Sequence, residues 1–302
     1  MITPALRGDI ETLVRSVAGS GFRLRELTPV SGGDINTSLR VTGEDHSYFL
    51  KLRPSAGSAM FTAEADGLAA LAQCPAIRVP GVLAVGQVAD QAALLLEWLD
   101  LRPLAGDDVA RRAGAALAAL HRHEGPHYGW PRDNFIGPTP QANAPHDSWA
   151  LFFVQRRLQP QLALAASQGH GGRLQQLGER IAERANALFL DYRPRPSLLH
   201  GDLWSGNAGI VDGPDGPRLA LFDPAVHYGD READLAMTEL FGGFPLAFYA
   251  AYREAWPLDV DYERRKPLYN LYHVLNHLNL FGRGYLAQAE RMAERLAMEL
   301  SR

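Results

Sequence analysis

Cysteine and lysine are scarce in this sequence, and each shortage narrows what the chain can do. Cys74 is its single cysteine, so the chain cannot form an intrachain disulfide or supply a cysteine-rich zinc site. Among its 30 basic residues only Lys51 and Lys266 are lysines. A GC-rich genome that favours arginine accounts for this bias. Against this bias, a lysine that is retained within a predicted strand indicates a functional role.

A strong net charge and long apolar runs are also absent. The formal net charge is −4 over 302 residues, which gives no general attraction for nucleic acid or anionic membranes. The longest apolar stretches, such as AALLL before Glu97, are far too short to span a bilayer. The first residues carry acids and no apolar signal segment. We therefore expect a cytoplasmic protein that binds neither nucleic acid nor membranes.

The pattern of the chain changes after its first third. Residues 1–100 show alternating strand patterns with one inserted helix, SAMFTAEADGLAALAQ, and SYFLKLRP places Leu50 and Leu52 on the opposite face from Lys51. From Asp107 onward helical periodicity dominates. The sequence therefore predicts an α+β fold of two lobes, residues 1–100 and 101–302, with a cleft between them.

The densest cluster of polar residues is LLHGDLWSGNAGIV, residues 198–211. It contains Asp202 and Asn207 in an HGD-x4-N pattern, and the apolar strand LALFD then ends in Asp223. This order suits phosphoryl transfer from ATP. One carboxylate orients and deprotonates the acceptor hydroxyl, while an amide and a second carboxylate hold Mg²⁺ on the phosphates. An isolated HGD triplet is uninformative, but the full pattern is specific.

Candidate groups for binding the ATP phosphates lie in the first lobe. The turn SGGDIN, with Gly32 and Gly33, offers free backbone amides that can cover phosphates, although a glycine hairpin is more often only a hairpin. Lys51 lies on the next strand and Glu64 on the helix that follows, which is the order of a phosphate-binding lysine held by a helix glutamate. A solvated edge lysine and a surface glutamate are the alternatives. The scarcity of lysine argues against the first.

Other phosphate-binding and hydrolase motifs are missing. The sequence lacks G-x-x-x-x-G-K-[ST], lacks G-x-G-x-x-G between a strand and a helix, and has no G-x-S-x-G around Ser205. P-loop and serine-hydrolase chemistry are therefore disfavoured.

Taken together, these motifs resemble those of the fructosamine kinase family, a branch of the aminoglycoside phosphotransferase-like kinases with a protein-kinase-like fold. The resemblance runs from about Ile10 to the end of the chain, and the segment 129–143 separates this family from general aminoglycoside and choline kinases. The segments that carry it are LHGDLWSGN (199–207), FDPAVHYGDREADLAM (222–237), GWPRDNFIGPTPQAN (129–143) followed by Trp149, Phe152, Phe153 and Arg157, and LYHVLNHLNLFGRGY (271–285).

The resemblance implies a role for each matching residue. Asp202 corresponds to the catalytic base, Asn207 and Asp223 to magnesium ligands, and Lys51 with Glu64 to the pair that anchors ATP. It further implies that the backbone of Glu97, Trp98 and Leu99 holds adenine, and that Asp234 is a buried acid that braces the catalytic loop. Relatives with a cysteine in the glycine-rich loop form redox-sensitive dimers. SGGDIN has none, so no such switch is expected, and we expect a monomer or a weak homodimer.

The implied activity is ATP-dependent phosphorylation of the sugar 3-hydroxyl of ketosamines, small or protein-bound, which frees the amine. Bacterial relatives tend to prefer ribulosamine or erythrulosamine adducts to fructosamine. Two alternatives remain open. One is a kinase of another small alcohol or amine, such as an aminoglycoside, choline, homoserine or methylthioribose. The other is a catalytically dead binding module, against which the retained Lys51, Asp202 and Asp223 argue.

A few aromatic and histidine residues are candidates for the sugar pocket. Trp204 lies two residues after Asp202 and can stack on a sugar ring or pack its own loop. His273 and His277 lie four apart on one face of a predicted helix, where they either line the sugar pocket or satisfy hydrogen bonds in a core. His121, His123 and His127 lack the spacing of zinc ligands.

Overall fold

The computed structural model describes residues 3–30 and 36–301, and an antiparallel sheet with strand order β1-β2-β3-β5-β4 forms its N-terminal part. Its strands are β1 (Glu26–Pro29), β2 (Thr37–Thr42), β3 (Ser47–Pro54), β4 (Val82–Val88) and β5 (Gln91–Glu97). Lys51 on β3 lies opposite Leu94 on β5, so the lysine sits in the interior of the sheet and not on an edge.

Two helices accompany this sheet, so the prediction of one inserted helix is wrong. The predicted helix is present as α2 (Ser58–Leu71), and the missed helix is α1 (Pro4–Ala18). Its start has a recognisable signal, because the Thr3 hydroxyl accepts a hydrogen bond from the amide of Leu6 and Pro4 occupies the first turn. Its apolar stripe, with Ile10 and Val14 buried, packs on the sheet.

The two helices cover opposite faces of the sheet, as the alternation in SYFLKLRP predicts. Leu50 and Leu52 on β3 belong to the hydrophobic cluster that includes α1. Lys51 points to the other face, where it meets Glu64 on α2. The period of two along β3 therefore separates an apolar core from the cleft.

The remainder of the described chain is mainly helical, with three short pairs of strands. The helices are α3 (Asp107–His121), α4 (Trp149–Phe153), α5 (Gln159–Ser167), α6 (Arg173–Arg184), α7 (Glu232–Leu240), α8 (Leu246–Ala255), α9 (Tyr262–Phe281) and α10 (Leu286–Glu299). The strand pairs are β6 (Asn134–Ile136) with β7 (Thr139–Gln141), β8 (Ser197–Leu199) with β11 (His227–Gly229), and β9 (Ala208–Gly213) with β10 (Gly216–Leu221). A π-helical turn, Val154–Leu158, joins α4 to α5. No helix in the described ranges is long and apolar enough to cross a membrane.

Hydrophobic side chains from both parts of the chain share one core. Phe61 and Leu68 of α2 cluster with Leu117 of α3 and Phe248 of α8. Backbone bonds also join the parts, since the amide of Arg78 donates to the carbonyl of Leu219 at 2.7 Å. The sheet ends at Glu97 and α3 begins at Asp107. The division at residue 100 into two lobes stays a prediction, because packing is continuous across it.

Two buried histidines lie beneath the helices of the C-terminal part. Burial, reinforced by the neighbouring His277, lowers the pKa of His273 on α9 to about 3, against the opposing influence of Asp234. Burial and the charge of Arg157 lower the pKa of His227 on β11 well below its usual value. Both rings are therefore neutral in the folded protein at every pH near neutrality.

We expect these two histidines to lower the free energy of unfolding as the pH drops below about 6.5, because in the unfolded chain their rings then take up protons that they do not take up in the folded protein. One such histidine contributes a slope of about 1.4 kcal/mol per pH unit. Urea unfolding between about pH 7 and pH 5 measures it. His273→Gln should lose less stability per pH unit than the wild type, whereas the exposed His46→Gln should match the wild type. Equal slopes in all three proteins would contradict the assignment.

Candidate active site

A cavity of about 490 Å³ lies between the sheet and the helical part. Its N-terminal wall comes from β3 and α2, and its floor comes from the loops after β8 and β10. The outer wall is aromatic. The lining residues are Asn36, Lys51, Met60, Phe61, Ala63, Glu64, Asn134, Phe135, Gly137, Asp202, Trp204, Asn207, Asp223, Pro224, Phe241, Asn276, His277, Leu280, Phe281 and Tyr285.

Lys51 links the two sides of this cavity. Its Nζ lies 2.6 Å from Oε1 of Glu64 on α2 and also pairs with the carboxylate of Asp223, which follows β10. Burial alone would lower the pKa of Lys51, but the charges of Asp223 and Glu64 raise it above its ordinary value. Burial raises the pKa of Glu64, and the charge of Lys51 limits the rise. The lysine is therefore a fixed, desolvated cation.

The charges that line the cavity do not balance. Among the described residues that line it, one cation, Lys51, faces three carboxylates, those of Glu64, Asp202 and Asp223. Burial, followed by repulsion from Asp223, raises the pKa of Asp202 to about 7. Such a site favours an additional cation. A carboxylate with a pKa near neutrality is also well placed to accept a proton.

Asp202 and Asn207 are held together by a short helical turn, residues 205–207. The amide nitrogen of Asn207 donates to the backbone oxygen of Asp202 at 2.9 Å and to its Oδ2 at 3.2 Å. With its hydrogens used in this way, the side chain offers its amide oxygen as a ligand. Asp223 has a φ of 56°, a left-handed conformation that is uncommon for residues other than glycine and recurs at functional sites.

The ring of His200 joins the backbone of Asp202 to that of Phe222. Its Nε2 lies 2.9 Å from the carbonyl of Phe222, and its Nδ1 accepts the amide hydrogen of Asp202 at 3.2 Å. Only a neutral ring protonated at Nε2 satisfies both contacts. This agrees with a pKa of His200 that burial lowers. The ring thus ties the loop that carries Asp202 to the strand that leads to Asp223.

A buried carboxylate supports the same loop from below. Asp234 accepts the amide hydrogens of His200 at 2.7 Å and of Gly201 at 2.9 Å, and Nε2 of His121 lies 3.2 Å from its Oδ2. Burial would raise the pKa of Asp234, but the interactions with His121, His200 and the amide of Gly201 together outweigh it, and the pKa lies below its usual value. The bracing role implied for Asp234 is therefore confirmed.

A network of amide side chains lies beneath the segment after Asp223. Asn134 donates to the carbonyl of Val226 at 2.7 Å, and Gln141 donates to Oδ1 of Asn134 at 2.8 Å. Asn143 also donates to that Oδ1 and accepts from the guanidinium of Arg157 at 2.6 Å. The amide side chains of the 129–143 segment therefore support the backbone that follows Asp223, while Phe135 and Gly137 of the same segment line the cavity.

Some of the remaining predicted site residues line the cavity and others do not. Trp204 and His277 line the cavity. His273 does not line it and packs more deeply, near His227 and Tyr272. His273 and His277 are four residues apart on α9, so their side chains point in directions that differ by about 40°. Because α9 is buried on several sides, this difference is enough to place His273 off the cavity wall. Gly32 and Gly33 lie outside the described residues.

The segment that links the two lobes begins at Glu97, whose side chain is held by an ion pair and a hydrogen bond. Glu97 ends β5, its carboxylate pairs with Arg78, and it accepts the amide hydrogen of Gly81 at 3.0 Å. The ring of Trp98 lies under the guanidinium of Arg40, at 4.4 Å from the ring centroid. Neither Glu97, Trp98 nor Leu99 is among the residues that line the cavity.

Several site residues escaped the sequence analysis. His121 was weighed only as a metal ligand, yet it braces Asp234. Phe135, Phe241, Phe281 and Tyr285 form the aromatic wall. The i,i+4 spacing of His277 and Phe281 on one helix was an available signal for part of this wall. Phe135 lies on β6 and Phe241 follows α7, and no local sequence pattern connects these two residues to α9.

Comparison with known protein families gives one match over nearly the whole chain. Residues 7–299 match the model of a family described as fructosamine kinase. Among curated proteins, a "Probable ketoamine kinase" of Synechocystis is 44% identical over 291 residues, which cover 96% of each chain. A "Probable ketoamine kinase" of Vibrio cholerae is 42% identical over 280 residues, covering 92% of this chain and 94% of the other.

Solved structures show the same similarity. A protein of Haemophilus somnus provisionally named as a fructosamine-3-kinase superposes with a TM-score of 0.86 at 30% identity, covering 95% of this chain and 96% of the other. A similarly named protein of Thermobifida fusca gives 0.83 at 32% identity, with 96% and 98% covered. An aminoglycoside phosphotransferase gives 0.62 at 14% identity over 96% of this chain and 98% of its own, which supports the fold alone. The predicted two-lobed, protein-kinase-like fold is thus confirmed.

Gly201 should tolerate no side chain. Its φ is +83°, and a Cβ there would lie 2.1 Å from the carbonyl oxygen of Ala225. We expect Gly201→Ala to cost about 2–4 kcal/mol of unfolding free energy, since strain and a backbone clash add. Gly86→Ala is the matched control, because nothing lies within 4 Å of its added Cβ. Urea denaturation compares the two variants, and equal stabilities would contradict the loop geometry.

Proposed function

The chain belongs to the fructosamine kinase family, and from that membership we propose that it transfers a phosphoryl group from ATP to the sugar 3-hydroxyl of a ketosamine. The family and the named ketoamine kinase relatives make it an ATP-dependent phosphotransferase that acts on a hydroxyl group. The observation that carries the proposal is the convergence of Lys51, Glu64 and Asp223 in one ion-paired cluster that shares a cavity with Asp202.

Lys51 binds the α- and β-phosphates of ATP in this proposal. Its ammonium is held by Glu64 and only 3% of the residue is exposed, so phosphate oxygens meet an oriented cation that water does not screen. Residues 1–100 then form the nucleotide-binding lobe and 101–302 the catalytic lobe. The backbone of Glu97, Trp98 and Leu99 is proposed to hold adenine.

Asn207 and Asp223 fit as magnesium ligands. They offer hard oxygen donors, and the cavity carries more negative than positive charge, which a divalent cation would correct. No cluster of three His, Cys, Asp or Glu side chains in the described ranges is arranged to bind a metal, so two protein donors would act together with phosphate oxygens. When bound, Mg²⁺ neutralises the charge on the phosphates during transfer.

Asp202 is proposed to act as the base. It orients the acceptor hydroxyl and takes its proton late in the transfer. The bond between that oxygen and the γ-phosphorus forms while the bond from phosphorus to the β–γ bridging oxygen breaks. ADP leaves, and the proton remains on the Asp202 carboxyl. A pKa of Asp202 near 7 allows this residue to accept the proton and then release it.

The aromatic wall suits an uncharged sugar ring more than a polycationic aminoglycoside. Trp204, Phe135 and Tyr285 line the cavity, and aromatic rings of this kind can pack on sugar carbons. Apart from Glu64, Asp202 and Asp223, the described lining contains no carboxylate to bind a polycationic aminoglycoside. The same wall would also suit a quaternary ammonium, so a choline kinase is the second candidate.

The two lysines of the chain provide a matched test of the nucleotide site. We expect Lys51→Ala to remain folded and to lose about 10²–10³ in kcat/KM for ATP, because a fixed positive charge at the phosphates is removed. Lys266→Ala removes a lysine that pairs with Glu239 and Glu263 away from the cavity, and it should retain wild-type kinetics. Steady-state kinetics with varied ATP decide the matter. Unchanged ATP kinetics in folded Lys51→Ala would refute the assignment.

The proposed base gives a second prediction. Asp202→Asn should still bind ATP with Mg²⁺, yet its kcat should fall by about 10²–10⁴, the contribution typical of a positioned base. Calorimetric titration with ATP and single-turnover measurements separate binding from chemistry. Asp212→Asn, a change of an exposed aspartate that pairs with Arg102, is the control. Wild-type turnover by Asp202→Asn would eliminate Asp202 as the base.

A substrate panel tests the function itself. ADP release should be faster, by kcat/KM, with small ribulosamine-type adducts than with choline or kanamycin, because that ratio measures discrimination. NMR of the product should place the phosphate on the sugar 3-hydroxyl. Efficient turnover of choline, with every ketosamine untouched, would transfer the assignment to the second candidate.

A further inference from the structure

The 129–143 segment contacts α2, the helix that carries Glu64. Nε1 of Trp130 donates a hydrogen bond to Oδ2 of Asp66 at 2.8 Å. Asp66 lies on α2, two residues after Glu64. Its side chain is 30% exposed, so the bond is partly shielded from water. A residue of the C-terminal part is thereby joined to the helix whose glutamate orients Lys51.

Trp130 is itself attached at several points to the C-terminal part. Its amide donates to the carbonyl of Asn143 at 2.9 Å, and the preceding Gly129 exchanges two backbone hydrogen bonds with Tyr228, at 2.9 and 2.8 Å. The rings of Trp130 and Tyr228 lie 5.2 Å apart between their centroids. Because both the backbone and the ring are held, the indole N–H has a defined position where it meets α2.

The same helix lies against the residues that follow β10. A Cβ added at Gly67 of α2 would lie 3.2 Å from side-chain carbons of both Pro224 and Val226. The helix can approach this closely because residue 67 has no side chain. Asn134 donates to the carbonyl of Val226 at 2.7 Å. The 129–143 segment therefore supports both α2 and the backbone on which α2 packs.

A second contact to Asp66 is weaker. Nε of Arg132 lies 3.7 Å from Oδ2 of Asp66, but the arginine side chain is 58% exposed. Ion pairs this exposed contribute little. Neither Asp66 nor Trp130 is among the described residues that line the cavity. An effect of either residue on ATP binding would therefore have to pass through α2.

We propose that Trp130 and Asp66 are positioning residues for the nucleotide site, which fix α2 so that Glu64 holds Lys51 in place for the phosphates of ATP. This inference rests on the proposed role of Lys51 in binding ATP. A cation binds phosphate best when its position is fixed before the ligand arrives, because no ordering cost is then left to pay. Lys51 lies on a strand, whereas Glu64 lies on a helix that the C-terminal part holds in place.

Calorimetric titration of the complete protein with Mg²⁺ and a non-hydrolysable ATP analogue tests the proposal, whatever the acceptor is. Asp66→Ala should weaken the affinity by about three- to tenfold, which is within the range that one hydrogen bond supplies. Trp130→Phe keeps a ring but loses the donor, and it should show a similar loss. Asp9→Ala is the matched control, because it makes the same substitution at an exposed position of α1, and it should bind like the wild type.

Two further variants distinguish positioning from a general loss of stability. Asp66→Asn keeps an oxygen that can accept from Trp130, so it should restore wild-type affinity. In a Glu64→Ala background, Asp66→Ala should cause no further loss, because Glu64 transmits its effect, and a double-mutant cycle measures this coupling. Unchanged affinity in both Asp66→Ala and Trp130→Phe, no restoration by Asp66→Asn, or additive losses in the cycle would overturn the proposal.

Lys51→Ala separates this inference from the proposed function. Wild-type affinity for the analogue in Lys51→Ala would show that the proposed nucleotide site is wrong. Loss of binding in Lys51→Ala, with unchanged binding in both Asp66→Ala and Trp130→Phe, would show that only the positioning role is wrong.

Discussion

One buried lysine connects the two halves of the molecule. Lys51 sits on an interior strand, yet its ammonium reaches Glu64 on a helix of the same lobe and Asp223 on a loop of the other. A charge in this position is stable only while both carboxylates are present, because removal of either would leave a desolvated cation under-paired. The cleft therefore depends on the two lobes keeping their relative position. The shared core of α2, α3 and α8 maintains that position.

The catalytic loop is held mostly from beneath. Asp234 binds two consecutive amides at its start, and His200 bridges to Phe222, which follows β10 and precedes Asp223. The 129–143 segment adds further support through Asn134, which donates a hydrogen bond to the backbone carbonyl of Val226. These contacts are directional and buried, so they fix Asp202 more firmly than surface loops could. Support of this kind is what the proposed role of Asp202 as a base requires.

Local patterns predicted the elements better than their assembly. The alternation in β3 correctly placed Lys51 opposite the apolar face, and the order Lys51, Glu64, Asp202, Asn207, Asp223 foresaw which residues line the cavity. The missed α1 carried its own signals in Thr3 and Pro4. His273 and His277 share a nominal helix face, but only His277 lines the cavity. A helical wheel shows which residues share a face but not which side of that face meets the cavity.

By itself the sequence determined the class of chemistry. Carboxylates and an amide at these spacings are typical of phosphoryl transfer, because the charge that develops on phosphate oxygens demands hard donors and a cation. Only the tertiary structure decided the rest. The bracing of Asp234 by His121 and the aromatic wall of the cavity each join residues far apart in the chain. Contacts of that kind depend on how helices and loops pack, which local sequence patterns do not encode.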